Sequence, residues 1–232
     1  MSLPAARAPA SLLVPYAAPY MLYLAVGLVA DRHVHAEWVY GARVILAGSA
    51  LWLFRGSYLP LSGPRAVGPS VALGALAGLG GAALWVALRA PFPPVDPAPW
   101  TDAQWASRAL GAVLLPPFME ELLFRGWALR VGVLFSRARA AGSGSALADA
   151  LERSELGAVA PGEWTALAVA ASTAFFALGH NPEEWLAACA YGVLMCGLWI
   201  VRGDLVSCIS AHAVTNAALA VLARATGAWG SW

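Results

Sequence analysis

The chain has 232 residues, of which 60% are hydrophobic and only 12% are charged. Soluble domains carry roughly 25% charged residues, so this composition excludes an ordinary soluble protein and indicates an integral membrane protein. The formal net charge of +1 argues against a nucleic-acid partner. The expected partner is the lipid bilayer, and the composition leaves the oligomeric state open.

Apolar segments of roughly membrane length recur along the whole chain. A helix needs about 20 apolar residues to cross a bilayer. The sequence therefore predicts an all-α, polytopic membrane helical bundle of seven transmembrane helices, or eight if the long fourth segment crosses twice. No repeat or second domain is evident, so we expect one integral membrane domain over residues 1–232. The segments are 12–30, 38–54, 70–90, 107–135, 164–179, 185–201 and 205–222.

Arginines are distributed unequally between the two ends of this predicted bundle. One end collects Arg7, Arg55, Arg65, Arg130, Arg137, Arg139, Arg153 and Arg202. The other end has Arg32, Arg89 and Arg224, with Arg43 and Arg108 near it. Because cytoplasmic loops carry an excess of basic residues, we expect a cytoplasmic N-terminus and, with seven crossings, an external C-terminus.

Three local features predict how the segments fold. Small residues at helical spacing on the third segment indicate close helix packing; they are Gly74, Gly78, Gly80 and Gly81. The Pro116-Pro117 pair should kink or restart the helix in the fourth segment. Within the polar stretch 136–163, Ala146–Glu155 is predicted to form a short interfacial helix.

A few strongly polar residues lie inside the apolar segments. Ionisable groups at membrane depth are costly, and they usually face a cavity and pair with one another. We therefore expect them to share one site around a polar intramembrane cavity. They are Glu120, Glu121, Arg125, His180, His212 and Asn216.

The spacing of these residues predicts which of them share a helix face. Glu121 and Arg125 are four residues apart and can pair, as can the side chains of His212 and Asn216. Glu120 lies about 100° around the helix from its neighbour and can point elsewhere. One carboxylate is thus positioned by a cation, while the other is left for chemistry.

A carboxylate in an apolar pocket can act as a general base for water, with a histidine beside it to hold the water or relay its proton. A second histidine and an amide can donate hydrogen bonds to a developing oxyanion. The sequence contains no GxSxG elbow and no HExxH motif. A metal site remains chemically possible, because two histidines and two glutamates are acceptable ligands.

Three motifs in order resemble the signatures of one known family. Glu120-Glu121-x-x-x-Arg125, Phe176-x-x-x-His180 and His212-x-x-x-Asn216 are similar to those of the CPBP family. This family contains the type II CAAX prenyl endopeptidases and the bacteriocin-processing Abi relatives. The motif-bearing core spans residues 105–222. The stretch from Val14 to Tyr20 also resembles the branch associated with bacterial exosortase sorting systems.

The resemblance implies an all-helical, glutamic-type intramembrane endopeptidase of the cell membrane that cleaves a membrane-associated protein or peptide. By motif position, Glu120 would activate water with help from His180. Glu121 and Arg125 would support them, and the pair His212 and Asn216 would stabilise the oxyanion. No cofactor and no metal ion are implied.

Two other hypotheses fit the same residues. The chain could be a non-catalytic immunity or partner-binding protein that keeps the site as structure. It could instead be a metal-dependent membrane enzyme or a metal transporter, with His180 and His212 as ligands. The complete set of Glu120, both histidines and Asn216 favours the endopeptidase, because a scaffold needs no oxyanion donors.

Overall fold

The structure is a computed structural model that describes residues 13–30, 36–92, 99–153 and 155–229. Within these ranges the chain is helical and has no β-strand, which confirms the all-α prediction. The α-helices are α1 (Leu13–Ala30), α2 (Ala36–Leu53), α3 (Val67–Arg89), α4 (Asp102–Leu114), α5 (Pro116–Glu121), α6 (Leu129–Ala140), α7 (Ala146–Ala148), α8 (Ala166–Leu178), α9 (Trp185–Arg202) and α10 (Leu205–Thr226). Short 3₁₀ turns cover Arg55–Ser57, Leu156–Ala158 and Pro182–Glu184, and π-helical turns cover Leu122–Ala128 and Asp149–Arg153.

Helices that suit a bilayer are found in both halves of the chain. In the described residues, three helical stretches are long and apolar enough to cross a membrane. They are Val67–Arg89, Pro182–Arg202 and Leu205–Thr226, and shorter apolar helices cover Leu13–Leu28, Trp38–Leu53 and Ala166–Leu178. Many large apolar side chains point outward, such as Leu28 and Leu76, as expected of a surface that faces lipid. These features support an integral membrane protein.

Helix α10 lies at the centre of the bundle, where it contacts α3, α4, α5 and α9. Its closest neighbour is α3, because glycines let the two backbones approach. A Cβ added at Gly74 would overlap the Ser207 carbonyl oxygen, and one at Gly78 would overlap that of Ala211. The predicted packing is confirmed at these positions but is wrong for Gly80, where an added Cβ would meet no atom of another helix within 4 Å.

The fourth apolar segment is broken where the two prolines predicted a restart. Helix α4 is preceded by the N-cap residue Thr101, whose side chain forms a capping box with Gln104, and it ends at Leu114. Helix α5 then starts with Pro116 at its first position, where the missing N–H costs least. It continues without interruption through the π-helical turn into α6, so the helical path runs on to Ala140.

At the arginine-rich end of the bundle, the segments that connect the helices are joined by hydrogen bonds and an ion pair. Arg202, the last residue of α9, donates to the Ala66 carbonyl oxygen before α3. Arg137 forms a two-pronged pair with Glu163, whose backbone oxygen accepts from the Trp199 indole. Burial opposes ionisation of Glu163, but hydrogen bonds from Arg137 and the Ala160 N–H outweigh it and hold its pKa below the ordinary value.

The predicted interfacial helix over Ala146–Glu155 is shorter and less regular in the structure. It consists of α7 followed by the π-helical turn Asp149–Arg153. The side chains of Ser143 and Ser145 both donate to Asp149 and so tie the start of this element to the preceding turn.

Candidate active site

The two adjacent glutamates at the end of α5 have different surroundings. The Glu121 side chain is fully buried, whereas 12% of the Glu120 side chain is exposed and it lines a cavity. This difference follows from the helical rotation between neighbours and confirms that the two carboxylates point in different directions. Among the described residues, no hydrogen-bond donor reaches Glu120 Oε2.

Arg125 holds the buried carboxylate. It is fully buried in the π-helical turn, and its Nη1 lies 3.2 Å from Glu121 Oε1. Its Nη2 donates to the Gly192 carbonyl oxygen on α9 at 3.0 Å, and its guanidinium carbon lies 4.9 Å from the centre of the Phe176 ring. The predicted pairing of Glu121 with Arg125 is thus confirmed. π-helical turns are frequent at functional sites, and this one directly follows the glutamate pair.

His212 lies between the two carboxylates. Its Nδ1 is 3.0 Å from Glu121 Oε1, and its Nε2 is 3.9 Å from Glu120 Oε2. An ionised carboxylate can only accept, so Nδ1 carries a hydrogen in this arrangement. Nε2 then carries a second hydrogen only in the imidazolium form. His212 can therefore donate into the cavity only when it is protonated.

His180 faces the same cavity from the end of α8. Its Nδ1 lies 3.0 Å from the Phe176 carbonyl oxygen, which can only accept, so Nδ1 carries the hydrogen. The other nitrogen of the neutral ring, Nε2, is consequently a proton acceptor. The ring packs against Phe176 and Trp85 at centroid distances of 4.7 and 5.4 Å. Helix α8 ends at Leu178, so the turn after it carries His180.

Asn216 lines the cavity one helical turn after His212. Its Nδ2 donates to the Ala112 carbonyl oxygen on α4 at 2.8 Å. An amide nitrogen has two hydrogens, so the second remains for a ligand in the cavity. The shared face predicted for His212 and Asn216 is confirmed, but each side chain is also held by a partner on another helix.

The cavity has a volume of about 310 Å³. It brings together four of the six predicted site residues, Glu120, His180, His212 and Asn216, while Glu121 and Arg125 lie behind its wall. Aromatic and hydroxyl side chains complete the lining. Phe176 is part of the Phe176-x-x-x-His180 motif, but the sequence did not single out the others, since such side chains are common in apolar segments; they include Tyr23, Tyr40, Trp85, Tyr191 and Thr215.

Two of the lining residues could have been found from the sequence. Arg43 lies within the apolar helical stretch Trp38–Leu53 and Arg108 lies within α4, and an intramembrane cation is itself a signal of function. Their positions near segment ends suggested a role in orientation only. No group of three or more His, Cys, Asp or Glu side chains among the described residues is placed to hold a metal ion.

These features define a class of protein: a helical membrane protein with a carboxylate–histidine site inside the bundle. A family model described as "type II CAAX prenyl endopeptidase Rce1-like" matches residues 102–218, which make up half of the chain. The chain therefore belongs to this protease family, within the CPBP group that its motifs resemble. No curated protein and no solved structure matches the chain.

Proposed function

We propose that this protein is an intramembrane endopeptidase that hydrolyses a peptide bond with a water molecule activated by Glu120. One observation carries the proposal: the described residues of a single cavity include this carboxylate, both histidines and Asn216. Membership of a protease family supports the same conclusion. The non-catalytic alternative gives no reason for an acid, a base and two donors to converge.

The proposed reaction begins at Glu120. Its carboxylate takes one proton from water as the hydroxide attacks the carbonyl carbon of the scissile bond. His180 lines the cavity, and its Nε2, the acceptor of the neutral ring, orients that water through its other hydrogen. Glu120 then returns the proton to the leaving nitrogen as the carbon–nitrogen bond breaks. The carboxylate is thereby restored and no further reactant is needed.

The negative charge that develops on the carbonyl oxygen needs donors. In the proposed site, Nε2–H of the His212 imidazolium and the second Nδ2 hydrogen of Asn216 fill this role. Glu121 supports His212 by accepting its Nδ1 hydrogen, and Arg125 in turn offsets the charge of Glu121. His212, Glu121 and Arg125 form one chain of interactions, so we assign Glu121 and Arg125 to positioning rather than to contact with substrate.

The arginine distribution supports an orientation for the protein. Contacts of Arg202, Arg137 and Trp199 join the arginine-rich connectors at one end, which we propose is cytoplasmic. Tyr58 donates to the Pro15 carbonyl oxygen at that same end, so the start of α1 lies there too. Glu184, which lines the cavity, lies at the opposite end of the bundle, just before α9 begins.

This orientation would open the cavity toward the outer face of a bacterial inner membrane. We propose seven crossings, in which the broken path from α4 to α6 counts once. The substrate would be a membrane-associated protein or peptide processed in a CAAX-type manner. A periplasmic reporter fused after Trp232 should be active under this proposal, whereas a cytoplasmic reporter at the same place should be active if the orientation is wrong.

The experiment that tests the activity compares protein termini in membranes from cells with wild-type protein, Glu120→Gln or Glu183→Gln. Glu183 is exposed in the turn before α9 and serves as the matched control. We expect a set of new termini with wild type and Glu183→Gln that disappears with Glu120→Gln. Loss of a general base lowers turnover about 10²–10⁴-fold. Identical termini with equally abundant Glu120→Gln would contradict the proposal.

A further inference from the structure

The first helix carries two tyrosines that the proposed reaction does not use. Both belong to the stretch from Val14 to Tyr20 on α1, which lies outside the residues that the family model matches. Tyr16 and Tyr20 are four residues apart and therefore share one face of the helix. They are 2% and 8% exposed, so this face of α1 is packed against the rest of the bundle.

Contacts with the segment between α2 and α3 fix the position of α1. Pro19 has no N–H, so the Pro15 carbonyl oxygen lacks its helical donor. The Tyr58 hydroxyl donates to that oxygen instead, at 3.0 Å. The Tyr16 hydroxyl accepts from the Leu59 N–H at 3.4 Å. These two bonds hold α1 along its own axis and so determine which parts of the bundle its buried face meets.

Tyr20 packs against the helical path that carries the glutamates. Its ring lies edge-to-face with that of Phe124, at a centroid distance of 5.6 Å. Phe124 belongs to the π-helical turn that directly follows the two glutamates. Its ring lies 5.4 Å from that of Phe176, which in turn lies 4.7 Å from the ring of His180. A row of aromatic rings therefore joins Tyr20 to His180.

The hydroxyl group of Tyr20 also reaches the turn after α8 directly. A Cβ added at Gly179 would overlap this oxygen, whereas the ring carbon that bears the oxygen would lie 3.4 Å away. The Gly179 backbone has φ −77° and ψ −4°, a conformation that any residue can adopt. Space for the Tyr20 hydroxyl, rather than backbone conformation, is therefore what glycine provides here. The next residue is His180.

These contacts join two groups of the proposed reaction. The His180 ring bonds to the Phe176 carbonyl oxygen at 3.0 Å, and the His180 carbonyl oxygen accepts from the Trp185 indole at 3.1 Å. Both bonds fix His180 relative to α8 and α9, and neither reaches the helix of Glu120. Tyr20 touches that helical path as well as the turn, so its size and position affect the separation of the carboxylate and the imidazole.

We propose that Tyr20 is a positioning residue, which holds the turn of His180 at the distance from Glu120 that activation of one shared water requires. This role deepens the proposed function, because it gives α1 a part in the reaction. Tyr20 acts through Gly179 and Phe124 rather than through contact with substrate. A displacement of about 1 Å between groups that act together can lower turnover about 100-fold.

An exchange of size between Gly179 and Tyr20 tests the proposal. Turnover is measured as the rate at which the Glu120-dependent termini appear in membranes. Gly179→Ala should lower it about 10- to 100-fold, because the new methyl group displaces the hydroxyl or the turn. Tyr20→Phe removes that oxygen, so Gly179→Ala/Tyr20→Phe should return to within about 3-fold of Tyr20→Phe alone.

Three further variants complete the series. Gly179→Ala/Tyr16→Phe removes a hydroxyl from the same face of α1, one turn away from the contact, and should remain as slow as Gly179→Ala. Gly197→Ala adds a methyl group on α9 that meets no atom outside its own helix within 4 Å, and it should turn over like wild type. Tyr20→Leu keeps an apolar side chain but cannot reach the turn, so turnover should fall in a protein that still folds.

The position of His180 can be followed without any cleavage. In NMR spectra of purified protein with isotope-labelled histidine, the imidazole resonances of His180 are those that disappear in His180→Gln. We expect Gly179→Ala to shift these resonances and Gly179→Ala/Tyr20→Phe to restore them. They should stay shifted in Gly179→Ala/Tyr16→Phe, because that change leaves the Tyr20 hydroxyl in place.

The outcomes separate the positioning role from the reaction. With active wild-type protein, unchanged turnover or unchanged His180 resonances in Gly179→Ala would overturn the role of Tyr20. So would rescue by Tyr16→Phe equal to that by Tyr20→Phe, or no rescue by Tyr20→Phe. If Gly179→Ala does not accumulate, Gly179→Ala/Tyr20→Phe should, and loss of both would overturn the role as well. Resonances that shift and recover as expected, in a series where wild type produces no Glu120-dependent termini, would uphold the positioning of His180 and overturn the proposed reaction alone.

Discussion

Pro116 and Asn216 meet at the carbonyl oxygen of Ala112. In a continuous helix, the N–H of residue 116 would bond to this oxygen, but proline has no N–H. The Asn216 side chain donates to it instead, at 2.8 Å. The helix break just before Glu120 and Glu121 therefore supplies the acceptor that orients a proposed oxyanion donor on a different helix.

This relationship predicts the effects of changing either residue. Asn216→Ala should lower turnover roughly 10²–10³-fold, the scale for loss of one oxyanion donor. KM should change little, because the interaction strengthens only as charge develops on the carbonyl oxygen. Steady-state kinetics of purified protein on a cleavable peptide measure both constants. A large rise in KM with unchanged kcat would instead assign Asn216 to substrate binding.

Pro116→Ala provides an independent check on the same contact. The new N–H can bond to Ala112 and compete with the amide of Asn216, so we expect turnover to fall while thermal stability stays equal or rises. Activity equal to wild type would show that this carbonyl does not orient Asn216.

A second prediction concerns the buried pair of Glu121 and Arg125. Arg125→Ala leaves a carboxylate buried without its cation, a change that costs about 3–5 kcal/mol. Replacing both residues with glutamine should recover part of this stability in thermal unfolding in detergent. It should not recover turnover, because the double variant lacks the Glu121 carboxylate that positions His212.

The exposed pair of Arg224 and Asp102 supplies the control for that experiment. Its side chains are 48% and 82% exposed, and such pairs contribute about 0–1 kcal/mol. Arg224→Ala should therefore hardly change the unfolding temperature. Equal losses in Arg125→Ala and in the double glutamine variant would mean that Glu121 and Arg125 are not coupled.

A third prediction concerns the glycine contact between α3 and α10. Gly78→Ala places a methyl group against the Ala211 carbonyl oxygen, and backbone shifts of this kind typically cost about 1–3 kcal/mol. The shift should also lower turnover, because Ala211 immediately precedes His212.

Gly80→Ala is the matched control. Its added Cβ meets no atom within 4 Å, and the change should stabilise the exposed helix face by about 0.5–1 kcal/mol. Equal unfolding temperatures for the two variants would rule out the close contact.

The sequence was most informative where one helix determines the geometry. Three features follow from helical spacing and proline chemistry: the different directions of Glu120 and Glu121, the pairing of the latter with Arg125, and the restart at Pro116. Each of these features depends on residues close together in the chain. Local rules were therefore enough to predict them.

Features that depend on contacts between helices were not predictable in this way. His180 was expected to share a site with Glu120, but its position near the outer end of its segment did not explain how the two residues could meet. The structure places both on one cavity, because α8 ends at Leu178 and the cavity extends toward the end of the bundle where α9 begins. The hydrogen-bond partner of Asn216 was not predictable either. A carbonyl oxygen that lacks its helical donor because of a proline could accept a hydrogen bond from any neighbouring helix.

The last prediction distinguishes general-base hydrolysis from metal catalysis. Both histidines bond through Nδ1, His212 to a carboxylate and His180 to a carbonyl, and metal-binding histidines make the same outer contacts. The two mechanisms differ at His212 Nε2, which carries a hydrogen in the hydrolytic reaction and donates its lone pair in a metal site. We expect wild-type protein without stoichiometric zinc and with turnover unaffected by chelators. Two results together would establish the metal mechanism instead: stoichiometric zinc that is lost in His212→Ala, and normal turnover in Asn216→Ala. The second result is expected there because Asn216 would have no role in a metal-catalysed reaction.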